Sequence, residues 1–63
     1  MENSQSTLIS YAIGTEVDAI NMYSFMIRNL PDECKATLEH IRDEEREHAL
    51  ELIGLLKRLS DAD

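Results

Sequence analysis

The apolar residues of this 63-residue chain recur at helical spacing in two segments. In the first segment, positions alternately four and three residues apart form a seam of Ile9, Ile13, Glu16, Ile20, Tyr23, Ile27 and Leu30. In the second, positions alternately three and four residues apart form a seam of Leu38, Ile41, Glu45, His48, Leu52, Leu55 and Leu59. This spacing is typical of helices that pack side by side in a bundle.

Pro31 separates the two segments. A proline disfavours helical geometry at the residue before it and suits the first position of a new helix, and Asn29 is a candidate for a left-handed helix cap. The pattern therefore predicts an all-α fold, a single domain over residues 1–63. Within it, a helix at about 7–30, a turn at about 29–32 and a helix at about 32–60 form an antiparallel hairpin.

Polar residues interrupt both seams at matching positions. Glu16 lies 15 residues before Pro31, while Glu45 and His48 lie 14 and 17 residues after it. Folding the chain at Pro31 thus brings all three side chains to one level of the hairpin, directed into the same core. Burial of an unpaired carboxylate costs several kcal/mol, so this arrangement predicts a bound cation.

A solvated helix face is the alternative interpretation of the charged run over residues 43–48. It suits the members of the run that lie off the seam, which are Asp43, Glu44, Arg46 and Glu47. It does not suit Glu45 and His48, because both share the line of Ile41 and Leu52.

A Glu and a Glu-x-x-His pair make half of the ligand set of ferritin-like di-metal bundles. Two hairpins related by a two-fold axis would supply the whole set, so that four carboxylates balance two divalent ions. A set of carboxylates and imidazoles without thiolate suits Fe or Mn better than a structural Zn site. The residues therefore predict a homodimer with two metal ions.

Charge and composition narrow the classes of partner. Six Lys and Arg against 13 Asp and Glu give a net charge of −7, which argues against nucleic acid and anionic membrane surfaces as partners. No apolar run approaches the roughly 20 residues of a membrane span. The lone Cys34 cannot form an intramolecular disulfide and suits a reducing compartment, so we expect a cytoplasmic protein.

Two stretches resemble the encapsulated ferritins of bacteria and archaea: Glu16 followed by Asn21-Met22-Tyr23, and the segment at 41–49, IRDEEREHA. The resemblance implies a two-helix hairpin that dimerises into a ferritin-like four-helix bundle and assembles further into a ring, typically a decamer. It also implies ferroxidase activity at a site of two Fe per dimer, with O₂ or peroxide as the acceptor. The expected role is iron storage or detoxification with an encapsulin shell, inside an encapsulin nanocompartment.

Carried over residue by residue, the resemblance implies that Glu16, Glu45 and His48 are the catalytic iron ligands and that Tyr23 lies near them. The acidic site through which metal enters corresponds to Thr15 and Asp18, of which only Asp18 is acidic. Three alternatives stay open: a non-catalytic dimer that holds Zn, Mn or Fe, a rubrerythrin-like protein, and a metal-free helical interaction module.

Overall fold

The computed structural model describes residues 4–61, and these form two long helices joined by a tight connection. Helix α1 covers Ser4–Asn29, a short 3₁₀ helix covers Asp32–Cys34, and helix α2 covers Lys35–Asp61. The two long helices pack against each other as a hairpin of 49 × 15 × 10 Å. The predicted all-α hairpin is thereby confirmed, although α1 begins earlier than expected and α2 follows the 3₁₀ turn.

The connection differs from the prediction in how the first helix is capped. Asn29 does not take a left-handed conformation, since no residue other than glycine in the described part of the chain has a positive φ. Instead its side-chain amide donates a hydrogen bond to the carbonyl of Phe25 at 2.7 Å, and the Leu30 amide donates to Met26 at 2.8 Å. These two bonds satisfy carbonyls that a left-handed cap would otherwise serve.

Pro31 stands before the second helical segment rather than at its first position. Its φ of −59° and ψ of 153° are extended, and its carbonyl accepts a hydrogen bond from the Cys34 amide at 2.9 Å. This bond closes the 3₁₀ turn that redirects the chain into α2.

The line along α2 that is protected from solvent is shifted from the predicted seam. Ala49 is buried and Leu56 half-buried, whereas the predicted seam residues His48 and Leu55 are exposed. The protected line runs through Leu38, Ile41, Glu45, Ala49, Leu52, Leu56 and Leu59. Successive residues of a helix lie 100° apart, so a helix facing only one neighbour covers one of two adjacent apolar positions and leaves the other at the edge.

A single layer of two helices leaves much apolar surface uncovered. Among residues 4–61 only Leu38 and Ala49 are buried, at 8% and 7% exposure. The large apolar side chains that remain exposed are Leu8, Tyr11, Val17, Met22, Phe25, Leu30, Leu50, Ile53 and Leu55. Within the described residues, no helix combines the length and apolar character that crossing a membrane requires.

The total accessible surface also shows that the chain covers less of its surface than a compact monomer does. The chain exposes 4872 Å², whereas a compact monomer of 7.2 kDa is expected to expose about 4,100 Å². The excess of roughly 750 Å² is close to the area that one partner buries in a protein–protein interface of standard size.

Candidate metal centre

Glu16, Glu45 and His48 meet at one edge of the hairpin. Glu16 lies in the middle of α1, and Glu45 and His48 lie one turn apart on α2, so the packing of the two helices brings them together. His48 Nδ1 lies 3.2 Å from Glu16 Oε2 and 3.1 Å from Glu45 Oε1. The alignment of the hairpin at Pro31 predicted this juxtaposition from the sequence.

The donor atoms are already close to the spacing that one metal ion imposes. One ligand atom from each of the three residues lies within 4.8 Å of the others. Metal bonds of about 2.1 Å place neighbouring ligands of an octahedral site about 3.0 Å apart. Two carboxylates and one imidazole nitrogen therefore fit a first-row divalent ion after small side-chain rotations.

The three side chains differ in their exposure to solvent. Glu16 and Glu45 are 20% and 24% exposed, whereas His48 is 55% exposed. The carboxylates thus approach the ion from the hairpin, and His48 borders the open side. Three protein ligands leave coordination positions free on that side, since first-row divalent ions in such sites take four to six ligands.

The two carboxylates also favour the protonated form of His48. The hydrogen bond with Glu45 is the largest cause that raises the pKa of His48 above 6.5; burial opposes it, and the negative charges of Glu16, Glu45 and Glu51 reinforce it. In the metal-free hairpin the imidazole therefore holds its proton to higher pH than a free histidine does.

The two arginines nearest to the cluster in sequence pair with a different acid. Arg42 pairs with Asp43 at 3.1 Å and Arg46 approaches the same carboxylate at 3.9 Å. Among the ion pairs of the described residues, none joins a Lys or Arg to Glu16 or Glu45, and His48 is the partner of both. The centre is thus an uncompensated pair of carboxylates once His48 is neutral.

Two further residues that the resemblance singled out lie outside the cluster. Tyr23 is half-buried two turns along α1 from Glu16 and is not one of the clustered donors. Asp18 is exposed. At Thr15, the other position of the expected entry site, the hydroxyl donates a hydrogen bond to the carbonyl of Tyr11 at 3.1 Å. Their roles near the site and in metal uptake stay predictions.

A groove beside Glu16 was not anticipated from the sequence. It is open to solvent and lined by Tyr11, Ala12, Thr15, Glu16 and Leu52. Tyr11 lies off the α1 seam and is 78% exposed, so the helical spacing gave no signal for it. The groove shares Glu16 with the cluster, and the rest of its lining is mostly apolar.

One comparison with known proteins bears on the chain. The chain is 48% identical over 48 residues to the encapsulin nanocompartment cargo protein EncC of Myxococcus xanthus (strain DK1622). This alignment includes 75% of the chain. The match covers 37% of EncC, so this chain corresponds to little more than a third of that relative. No family model matches the chain, and no solved structure matches it.

Proposed function

We propose that this chain is a ferroxidase subunit that forms a di-iron site across a homodimer and oxidises Fe(II) to Fe(III). The observation that carries this proposal is the convergence of Glu16, Glu45 and His48, with donor atoms within 4.8 Å of one another. Iron is the substrate here, and the chain contributes the ligands that bind and orient it.

The dimer follows from what a single hairpin lacks. One chain offers three protein ligands and an exposed His48 at the open side of the cluster. A second copy related by a two-fold axis doubles the set to four carboxylates and two imidazoles, the ligand set of ferritin-like di-metal bundles. The roughly 750 Å² of excess surface is sufficient for such an interface.

The donor set suits iron chemistry. Hard carboxylate oxygens and imidazole nitrogens suit Fe(II) and also stabilise the more highly charged Fe(III). The iron supplies the redox step, in which two Fe(II) ions each lose one electron and one O₂ takes up both electrons with two protons to give H₂O₂. The carboxylates hold the added positive charge, since each Fe(III) carries one charge more than the Fe(II) it replaces.

Association with an encapsulin shell forms the second part of the proposal. The relative is named as a cargo protein of an encapsulin nanocompartment, and 75% of this chain aligns with it at 48% identity. We infer that this chain also resides in such a compartment in the cytoplasm, where Fe(III) produced at the site accumulates for storage. Further assembly of the dimers into a ring such as a decamer belongs to this proposal.

Two exposed histidines on α2 give a matched test of the activity. His48 touches both carboxylates, whereas His40 contacts only Glu44, at 3.6 Å, outside the cluster. Stopped-flow absorbance after addition of Fe(II) in air should show Fe(III) formation with wild-type chain and with His40→Ala, and a loss of at least tenfold with His48→Ala. Equal rates for the three proteins would refute the site.

Metal content separates oxidation from mere binding. The ferroxidase proposal expects two Fe per dimer and turnover with repeated additions of Fe(II). A dimer that binds Fe(II), Mn(II) or Zn(II) at Glu45 and His48 yet does not accelerate oxidation in air would instead be a metal-holding protein.

A further inference from the structure

A second line of residues runs along α1 outside the core of the hairpin. Its positions are alternately three and four residues apart, which is the spacing of a helix seam. All six members are exposed, and the four large apolar ones are between 51% and 78% exposed, so a single chain leaves this seam without a partner. We call it the exposed line of α1, and its members are Leu8, Tyr11, Thr15, Asp18, Met22 and Phe25.

The exposed line is self-complementary about one point of the helix. Its members form three pairs, and the two members of each pair are equidistant from the point midway between Glu16 and Val17. A two-fold axis that crosses α1 at right angles there places each member opposite its counterpart in an antiparallel second copy. The pairs are Leu8 with Phe25, Tyr11 with Met22, and Thr15 with Asp18.

The same point is the midpoint of α1, and it lies at the level of the metal cluster. Helix α1 covers Ser4–Asn29, so two copies that cross there overlap along their whole length. Glu16 lies half a residue from the point, about 0.75 Å along the helix. Tyr11 and Thr15 line the groove that Glu16 shares with the cluster, so the exposed line passes next to the cluster. One axis therefore pairs the exposed line and brings two copies of the cluster together.

Charge favours the antiparallel arrangement of the two α1 helices over a parallel one. In a parallel pair each residue faces its own copy, so the two Asp18 carboxylates would face and repel each other. In the antiparallel pair Asp18 faces the neutral Thr15 of the second copy. Met22 then faces Tyr11 of the second copy, and a thioether sulfur makes favourable contacts with an aromatic ring.

We propose that α1 packs antiparallel against α1 of a second copy of this chain, with Leu8 and Tyr11 facing Phe25 and Met22 of the second copy. The excess surface of roughly 750 Å² is close to what one partner buries in an interface of standard size. This inference rests on the proposed function, in that it specifies the contact of the dimer across which the two clusters meet.

Cysteine cross-linking tests the register of the two helices. Tyr11→Cys and Met22→Cys are made separately in a Cys34→Ser background, and the two chains are oxidised alone and as a mixture. In the proposed dimer position 11 faces position 22 of the second copy, so the two copies of position 11 are about 16 Å apart along the helix axis. A disulfide requires Cα atoms within about 7 Å of each other. We therefore expect at least about fivefold more disulfide-linked dimer in the mixture than in either variant alone.

Truncation of the exposed line gives a second measurement that needs no cysteine. Tyr11→Ala and Met22→Ala should each weaken the dimer by about tenfold or more in sedimentation velocity, because each removes an apolar contact twice from a two-fold interface. Val17→Ala is the matched control, since Val17 is 43% exposed and lies about 120° around α1 from Tyr11. The control should stay within about threefold of the wild type, and circular dichroism should show equal helix content in all variants.

The outcomes separate failure of this contact from failure of the proposed function. A mixture that cross-links no more than the single variants, or a dimer that Tyr11→Ala and Met22→Ala leave unchanged, would overturn the antiparallel contact. A chain that stays monomeric with and without Co(II), a divalent probe of the cluster, would overturn both the contact and the dimeric site. A dimer that links positions 11 and 22 but does not accelerate Fe(II) oxidation would support the contact and refute only the ferroxidase activity.

Discussion

Two apolar residues of α2 allow a test of which face the second copy covers. Leu55 lies two turns after His48 on the same side of the helix, whereas Ile53 lies about 140° around the helix from His48. Both are exposed, at 37% for Leu55 and 48% for Ile53. A dimer that completes the metal site must cover the side that bears His48, and therefore Leu55 and not Ile53.

The magnitude follows from the exposed fraction. Full burial of a leucine side chain stabilises by about 1.5–3 kcal/mol, so covering the remaining 37% of Leu55 contributes about 0.6–1.1 kcal/mol. A two-fold interface contains the residue twice, which gives about 1–2 kcal/mol per dimer. Leu55→Ala should thus weaken dimerisation by roughly 5- to 30-fold.

Sedimentation velocity over a range of protein concentrations, with and without Co(II), measures the dimer constant. We expect Leu55→Ala to weaken both the dimer and the binding of Co(II), because in the proposed dimer each chain supplies only half of the ligand set. Ile53→Ala is the matched control and should leave both quantities unchanged. If the more exposed Ile53 proves to matter for Co(II) binding and Leu55 does not, the assignment of the dimer face is wrong.

Three further predictions concern the hairpin itself. Leu38→Ala should lower the free energy of unfolding by about 2–3 kcal/mol in urea titrations, at the low end for core leucines because the two-helix core is thin, while the exposed Leu50→Ala should change it by less than about 0.5 kcal/mol. Gly14→Ala should stabilise by about 1 kcal/mol, since a Cβ there meets nothing within 4 Å; a loss of stability that grows with protein concentration would show that a second copy packs on Gly14. The pKa of His48 is raised in the folded metal-free chain, so its protonation stabilises the hairpin below about pH 6.5 and this contribution disappears as the pH rises through the raised value. His48→Gln should remove that part of the pH dependence of unfolding, and an NMR titration of His48 that gives a pKa at or below 6.5 would contradict the assignment.

The hairpin and the cluster could be predicted because each depends on a strong local signal. The regular apolar spacing gives the two helices, and Pro31 places the turn, which in turn fixes which residues of α1 and α2 lie at one level. Glu16 and Glu45 stand out because each occupies a position that the spacing reserves for an apolar side chain. A polar residue at such a position is informative since burial without a partner is costly.

The detailed facing of α2 could not be predicted for a specific reason. Leu55 and Leu56 are both leucines, and Ala49 follows His48, so a seam through either member of each pair fits the apolar pattern. The two seams differ by a small rotation of α2 about its axis. That rotation depends on what covers the side of α2 that does not face α1. A sequence pattern shows the total apolar surface of a helix but not how it divides between its own partner helix and another molecule.

In the proposed dimer, metal binding and dimerisation strengthen each other. In a two-fold dimer built on the His48 side, two copies of Glu16 and Glu45 place four carboxylates around one small volume, and no Lys or Arg of the described ion pairs offsets them. Without metal, the apolar contact of residues such as Leu55 must overcome this repulsion, which a protonated His48 partly relieves. With two divalent ions the charges balance, so each ion strengthens the interface and the interface in turn completes the ligands of each ion. By linkage, the same free energy that metal adds to the dimer is added by dimerisation to the affinity for metal. Dimer formation in this chain should therefore be much stronger with metal than without, and weakest at a pH above the pKa of His48 when no metal is present.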